Sequence, residues 1–200
     1  MGRTGVAISS SLRPTLVVYK EVVAGDLRKL TATSNDSTNG GGARDLRVPF
    51  RTFRTVMHRI FTQTGTGRGG AAIRTADVIY LDASKNPQTT QLEYWPPTSS
   101  RPNEDRIARI HQSPALGGRL PATNRGKVFV LFILFNDHSI RVEYAYEDQL
   151  RSSAWAPEIT SAILACLAVT ENKNSGRRGS LVPVQGYYEF GSGAQFCHAE

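Results

Sequence analysis

The sequence predicts a mostly β domain with short helices, an α+β fold, and three observations carry that reading. Apolar runs of strand length recur along the chain, bounded by Gly, Pro, Asn and Asp. Lys127–Phe135 and Ser139–Tyr146 form a hairpin pattern through Asn136–Asp137–His138. Only two stretches, Arg51–Phe61 and Pro157–Val169, carry apolar residues at helical spacing. The 200 residues show no internal repeat, low-complexity tract or inter-domain linker, so one domain over 1–200 is expected.

The elements follow in order. Thr15–Tyr19 is a β-branched run after Pro14 and reads as a strand. Leu27–Thr33 reads as extended and leads into Ser34–Gly42, a segment dense in turn-forming residues. Leu46, Val48 and Phe50 alternate with Arg47 and Pro49, which starts another strand. Phe53, Val56, Met57, Ile60 and Phe61 form the core stripe of the first helix. Gly65–Gly70 matches G-x-G-x-x-G, but the dinucleotide fingerprint needs a strand before it and a helix after it. Here a helix precedes it and a β-rich run follows, so a flexible loop is expected. Asp77–Asp82, Thr89–Trp95 and Ile107–Ile110 read as short strands, as do Leu181–Val184 and Tyr187–Phe190. In the hairpin, the first strand is almost wholly apolar, as a strand buried on both faces should be. The second alternates Ile140, Val142, Tyr144 and Tyr146 with Arg141, Glu143 and Ala145, as a half-buried strand should.

Net charge is +7, from 24 Lys+Arg against 17 Asp+Glu. Such an excess, mostly Arg, favours a polyanionic partner, with nucleic acid first. Arg suits bidentate recognition of phosphate and guanine better than Lys does. Two cysteines, Cys166 and Cys197, form no C-x-x-C and have no zinc-finger histidines, so no structural zinc signature is present. Cys166 lies in an apolar run and reads as a small buried hydrophobe, and Cys197 as a terminal thiol; the pair fits a reducing cytosol. The longest apolar run, Val128–Phe135, is too short to span a bilayer, and no apolar leader is evident. A soluble, cytoplasmic protein without a membrane partner is expected.

Catalytic patterns are sparse. Glu158, Glu171 and Lys173 resemble on paper the carboxylates and lysine of a metal-dependent nuclease. Yet Glu158 would open a helix, where it suits the macrodipole, and Glu171 would follow that helix in a polar loop. None of the histidines lies beside a nucleophile-elbow pattern. His58 reads as structural, His138 as a turn residue, and His111 as a possible phosphate or base contact beside the Arg-rich segment.

Two segments carry chemistry suited to DNA. Arg101–Arg109 combines guanidinium groups, a carboxamide and carboxylates, and prolines keep its start out of helix. Arg forks match guanine and phosphate, Asn matches adenine, and a carboxylate accepts from cytosine. A solvated charged loop is the alternative. In the other segment, Gly40–Gly42 would let backbone approach DNA closely, and Ser34, Thr38 and Asn39 could donate to phosphate. Arg44 and Arg106 are the candidates for guanine, Asn35 or Asn103 for adenine, and Glu104 or Asp105 for cytosine. Arg68, Arg74, Arg177 and Arg178 would supply phosphate contacts or a diffuse field.

Lys29–Asp36, then Gly40–Gly41, then Leu46–Pro49 resembles the N-terminal region of EcoRII-type restriction endonucleases. Asn103–Arg109 resembles that family's N-E-x-R-I-x-R segment, and Ser113–Pro114 followed by the strand Lys127–Phe135 is a third match in register. The resemblance runs from about Thr15 to Glu147. It implies a B3-like DNA-binding pseudobarrel whose two arms grip a short, CCWGG-like duplex site. Carried over, the first arm is Thr33, Ser34, Asn35, Asp36, Gly40 and Gly41, with Arg44 and Asp45 beside it. The second is Arg101, Asn103, Glu104, Arg106 and Arg109, with Asp105 between. The family's His-Gln pair after Gly-Gly is here Gly42–Ala43, the basic residue between Glu and Arg is Asp105, and Pro102 interrupts the second arm. The resemblance implies a non-catalytic recognition domain that needs no cofactor. Cleavage would belong to a C-terminal nuclease domain using Mg²⁺. A stand-alone metal-dependent nuclease, and a module for RNA or acidic proteins without base readout, are the alternatives.

Overall fold

The computed structural model describes residues 12–31, 45–48, 50–97, 105–175 and 181–198. Its elements are β1 (Pro14–Glu21), α1 (Ala24–Leu30), β2 (Leu46–Val48), α2 (Phe50–Ile60), β3 (Gln63–Thr66), β4 (Ala72–Leu81), β5 (Pro87–Trp95), β6 (Asp105–Ile107), β7 (Val128–Phe135), β8 (Ile140–Tyr146), α3 (Glu147–Arg151), α4 (Pro157–Asn174), β9 (Gln185–Glu189) and β10 (Gln195–His198). The strands form one curled, half-barrel sheet in the order β10-β9-β1-β7-β8-β4-β5-β6-β2, with β3 paired to β4. Every pairing is antiparallel except β4 with β8, which meet at Ile79↔Arg141. The fold is therefore mixed and mostly β.

The two faces of the sheet bury different sets. Within the curl, Leu16, Val18, Val78, Leu92, Tyr94 and Phe132 pack against Phe53, Met57 and Ile60 of α2. On the opposite face, Val17, Tyr19, Leu131 and Ile133 pack against Ile159, Ile163, Cys166 and Leu167 of α4. β1 and β7 are thus covered on both sides. That is why their sequences are continuous apolar runs, while β8 alternates. The β7–β8 hairpin turns as its sequence indicates, with His138 at φ 66 and Asp137 accepting from the Ser139 N–H and hydroxyl.

Several expectations need correction. The expected extended run Leu27–Thr33 begins in a helix: α1 covers Ala24–Leu30, and residues 32 and 33 lie outside the described residues. Asp26 stands in the first turn of α1 and Arg28 and Lys29 in its last, charges that complement the helix dipole. The buried Lys20 ammonium, 2.7 Å from Asp26, fixes that turn to β1. Leu181–Val184 carries no strand, and β9 begins at Gln185. α4 continues past Val169 to Asn174, so Glu171 lies on the helix and not in a loop. Cys166 and Cys197 are not free thiols: they form a disulfide that ties α4 to β10.

Gly65–Gly70 is not a flexible loop either. It carries part of β3 and a 3-10 turn at Arg68–Gly70, and so forms the β3–β4 hairpin. Gly69 and Gly70 take φ of 74 and 77, a left-handed conformation that glycine adopts without steric penalty. The glycines serve a turn between strands and cradle no nucleotide phosphate at a helix start.

Candidate nucleic-acid interface

At one edge of the sheet, β5, β6 and β2 lie side by side. Leu46↔Ile107, Arg47↔Arg106 and Val48↔Asp105 pair β2 with β6, while Tyr94↔Ile107 and Trp95↔Arg106 pair β5 with β6. Residues 32–44 run directly into Asp45 and β2. Residues 96–104 connect β5 to β6. Thus the chain enters two adjacent strands straight from the two segments singled out for DNA chemistry.

Strand alternation sorts the side chains here into two sets. Leu46, Val48, Tyr94, Asp105 and Ile107 are buried. Arg47, Trp95 and Arg106 share the other face, with Arg47 exposed. The sort decides the role of Asp105. At 1% exposure it is an interior carboxylate and does not present itself to a base as expected from the sequence. Its Oδ2 accepts from the Tyr94 hydroxyl at 2.7 Å and from Arg54 Nε at 3.3 Å, and its Oδ1 accepts from Arg54 Nη2 at 3.2 Å. Burial, and then the bond to Asp105, pushes the Tyr94 phenol far above its ordinary pKa, so it remains a donor.

Asp45 is also largely buried. Its Oδ2 lies 3.1 Å from Arg106 Nε, and its Oδ1 accepts from the Arg109 backbone N–H at 3.2 Å. The Arg106 guanidinium stands over the Trp95 ring, 5.3 Å from its centroid, so Arg106 is held by an anion and an aromatic surface together. Trp95 Nε1 donates to Glu93, which also stands 3.8 Å from the Arg109 guanidinium. Gly67 approaches the indole so closely that a Cβ there would lie 2.6 Å from Trp95 Cζ2. The β3–β4 hairpin and Arg106 therefore both pack on Trp95, which is a scaffold residue and not an open stacking platform.

Among the described candidates, Arg109 and Arg68 are exposed, while Arg74 is half-buried with Nη1 donating to the Phe61 carbonyl. Thr33, Ser34, Asn35, Asp36, Gly40, Gly41, Arg44, Arg101, Asn103 and Glu104 lie outside the described residues, as do Arg177 and Arg178. His58 stacks edge-on to Tyr94 with ring centroids 5.9 Å apart. Burial, then Arg74 and Arg54, lowers its pKa, in keeping with its structural reading. Sequence reasoning passed over Arg47, Arg54, Glu93, Tyr94 and Trp95. The alternation of Glu93 and Trp95 with Leu92 and Tyr94 was available to place the first pair on the outer face.

The nuclease alternative loses its geometry. Glu158 and Glu171 lie on one helix more than three turns apart, roughly 20 Å along its axis, too far to share a metal ion. Glu171 instead stands 3.4 Å from Lys127. Among the described residues no group of three or more His, Cys, Asp or Glu is placed to hold a metal, and no helix is long and apolar enough to cross a membrane. No protein-family model matches this chain, and no curated protein matches it.

Proposed function

We propose that this chain is a sequence-specific recognition module for duplex DNA, and that residues 32–44 and 98–104 are its reading segments. The observation that carries the reading is where they attach: both lead into the same three-pair β2–β6 ladder, one at each end of it. Two segments far apart in sequence, each rich in residues suited to phosphates or base edges, lead into neighbouring antiparallel strands at one sheet edge. Exposed Arg47 and Arg109 stand on those strands or directly after them, and the +7 net charge supplies the attractive field. Phosphate contacts from the arginines would fix orientation, and the mixed Asn, Glu and Arg content of the segments would read sequence.

The half-barrel sheet agrees with the B3-like pseudobarrel that the EcoRII resemblance implies, with the two reading segments as its arms. On that reading the chain is the recognition domain of a type II restriction endonuclease. A CCWGG-like site would be its target, and an Mg²⁺-dependent nuclease domain elsewhere in the protein would cut the DNA.

The test is competition among a duplex selected from a randomised pool, a random duplex and an RNA hairpin, over a series of salt concentrations. The selected duplex should win by at least tenfold. Its log K should fall with log[salt] at a slope of about −3 to −5, as three to five neutralised phosphates would give. Arg109→Ala should flatten that slope by about 1. Equal binding to all three probes, or affinity independent of salt, overturns the reading.

A further inference from the structure

We infer that Asp45 and Arg106 are a positioning pair: they set the relation between the two reading segments and thereby govern sequence preference, without Arg106 touching DNA. The inference rests on the reading of 32–44 and 98–104 as DNA-reading segments.

Placement argues first. Asp45 is the first residue after segment 32–44. Arg106 follows segment 98–104 by two residues. Trp95, under the Arg106 guanidinium, closes β5 before the connection that contains the second segment. One guanidinium therefore fastens three points of the chain from which the reading segments depart. The β2–β6 ladder has only three residue pairs, so backbone bonding alone is a short tie between those segments.

Burial argues next. The side chains of Asp45 and Arg106 are 10% and 13% exposed at a separation of 3.1 Å. Arg106 Nη1 is itself shielded from solvent. A guanidinium enclosed by Asp45 and Trp95 would have to leave both to meet a phosphate or guanine. Arg47, its exposed cross-strand neighbour, has no such barrier of burial.

The third argument is local conformation. Arg109 takes φ 53, a left-handed conformation that L-residues other than glycine rarely adopt. Its N–H is held by the second oxygen of Asp45. Asp45 therefore holds the middle of β6 through Arg106 and its exit through the Arg109 backbone.

The sign of one substitution separates positioning from contact. Asp45→Asn removes a negative charge from a DNA-facing edge, so electrostatics alone would tighten binding to every duplex. A positioning pair gives the opposite result for the preferred sequence. The probes are a duplex selected from a randomised pool by the wild-type chain and a random duplex of equal length. Asp45→Asn should weaken the selected duplex about tenfold and leave the random duplex unchanged or tighter. Arg106→Ala should lose the selected duplex to a similar degree with the salt slope unchanged. Asp45→Asn combined with Arg106→Gln should be no worse than either single change, because both remove one interaction.

Thermal unfolding of each variant accompanies the binding. If a single variant is unfolded, the neutral double variant decides, and retained discrimination in it overturns the inference. Tighter binding of both duplexes by Asp45→Asn overturns it. So does a salt slope flattened by about 0.9 in Arg106→Ala, which would show a phosphate contact. If the wild-type chain selects no duplex, the DNA reading fails and the inference with it. If the wild type discriminates and Asp45→Asn discriminates equally, the inference alone fails.

Discussion

Asp105→Ala should destabilise the domain by about 3 kcal/mol, the low end of the range for removing one partner of a buried ion pair. Two groups lose their acceptor at once. The Tyr94 hydroxyl is wholly buried and has no solvent to turn to. The Arg54 guanidinium is one-third exposed and can recover part of its solvation, which keeps the cost from rising further. In a domain of this size the loss corresponds to a fall in Tm of roughly 6–12 °C. Tyr94→Phe removes one hydrogen bond to a charged acceptor and should cost roughly 1.5–3 kcal/mol. Urea unfolding measures both. A cost below about 0.5 kcal/mol for Asp105→Ala would match an ordinary surface position, and would return Asp105 to the residues that face a ligand.

Asp105 also shows where the sequence stops being legible. A charged residue in an Arg-rich segment reads as solvated, because charges are rarely buried without a partner. Its partner Arg54 lies 51 positions away on another element, and nothing local announces the pairing. The strands β1, β4, β5, β7 and β8 were legible because period-2 alternation and unbroken apolar runs are local signals. So was α2, whose stripe Phe53, Val56, Met57 and Ile60 is buried as expected. α1 was missed although Asp26, Arg28 and Lys29 mark its two ends, because seven residues give too short a window for helical periodicity. β10 was missed for a similar reason: four residues after Gly191 and Gly193 carry little pattern. For the proposed site, composition marks the two segments, but not that the strands following them are neighbours. That adjacency is the β2–β6 pairing, which is set by tertiary packing.

The disulfide gives the second large effect. Cys197→Ser should lower stability by about 3–4 kcal/mol, the loop-closure value for a bond spanning 31 residues. Reduction of the wild-type chain should bring it to the same level, and reductant should leave the serine variant unchanged. Denaturant midpoints with and without dithiothreitol measure this. The bond matters more than its peripheral place suggests. β10 has β9 as its strand partner at the sheet edge, and its Phe196 ring packs edge-on against Phe53 of α2, with centroids 5.8 Å apart. Equal midpoints in oxidised and reduced wild-type chain would show that packing alone seats β10. Sequence could not give the pairing, because two thiols without a recognised spacing read equally well as buried and free.

The central place of β1 has a consequence for the birth of the chain. Its partners are made late. The Thr15 hydroxyl bonds to the Leu134 carbonyl, 119 positions on, the Tyr19 hydroxyl to Ala162, 143 positions on, and Glu21 to the Val184 amide, 163 positions on. At ribosomal rates of about 5–20 residues per second, β1 waits roughly 6–24 s for β7 after its own synthesis. During that interval the run Leu16–Val17–Val18–Tyr19 has neither neighbouring strand, and α4, which covers Val17 and Tyr19, is not yet made. The nascent chain therefore passes through a stage in which a strand destined for burial on both faces lacks its strand partners. Its yield in the cell depends on how well that single strand is shielded until β7 arrives.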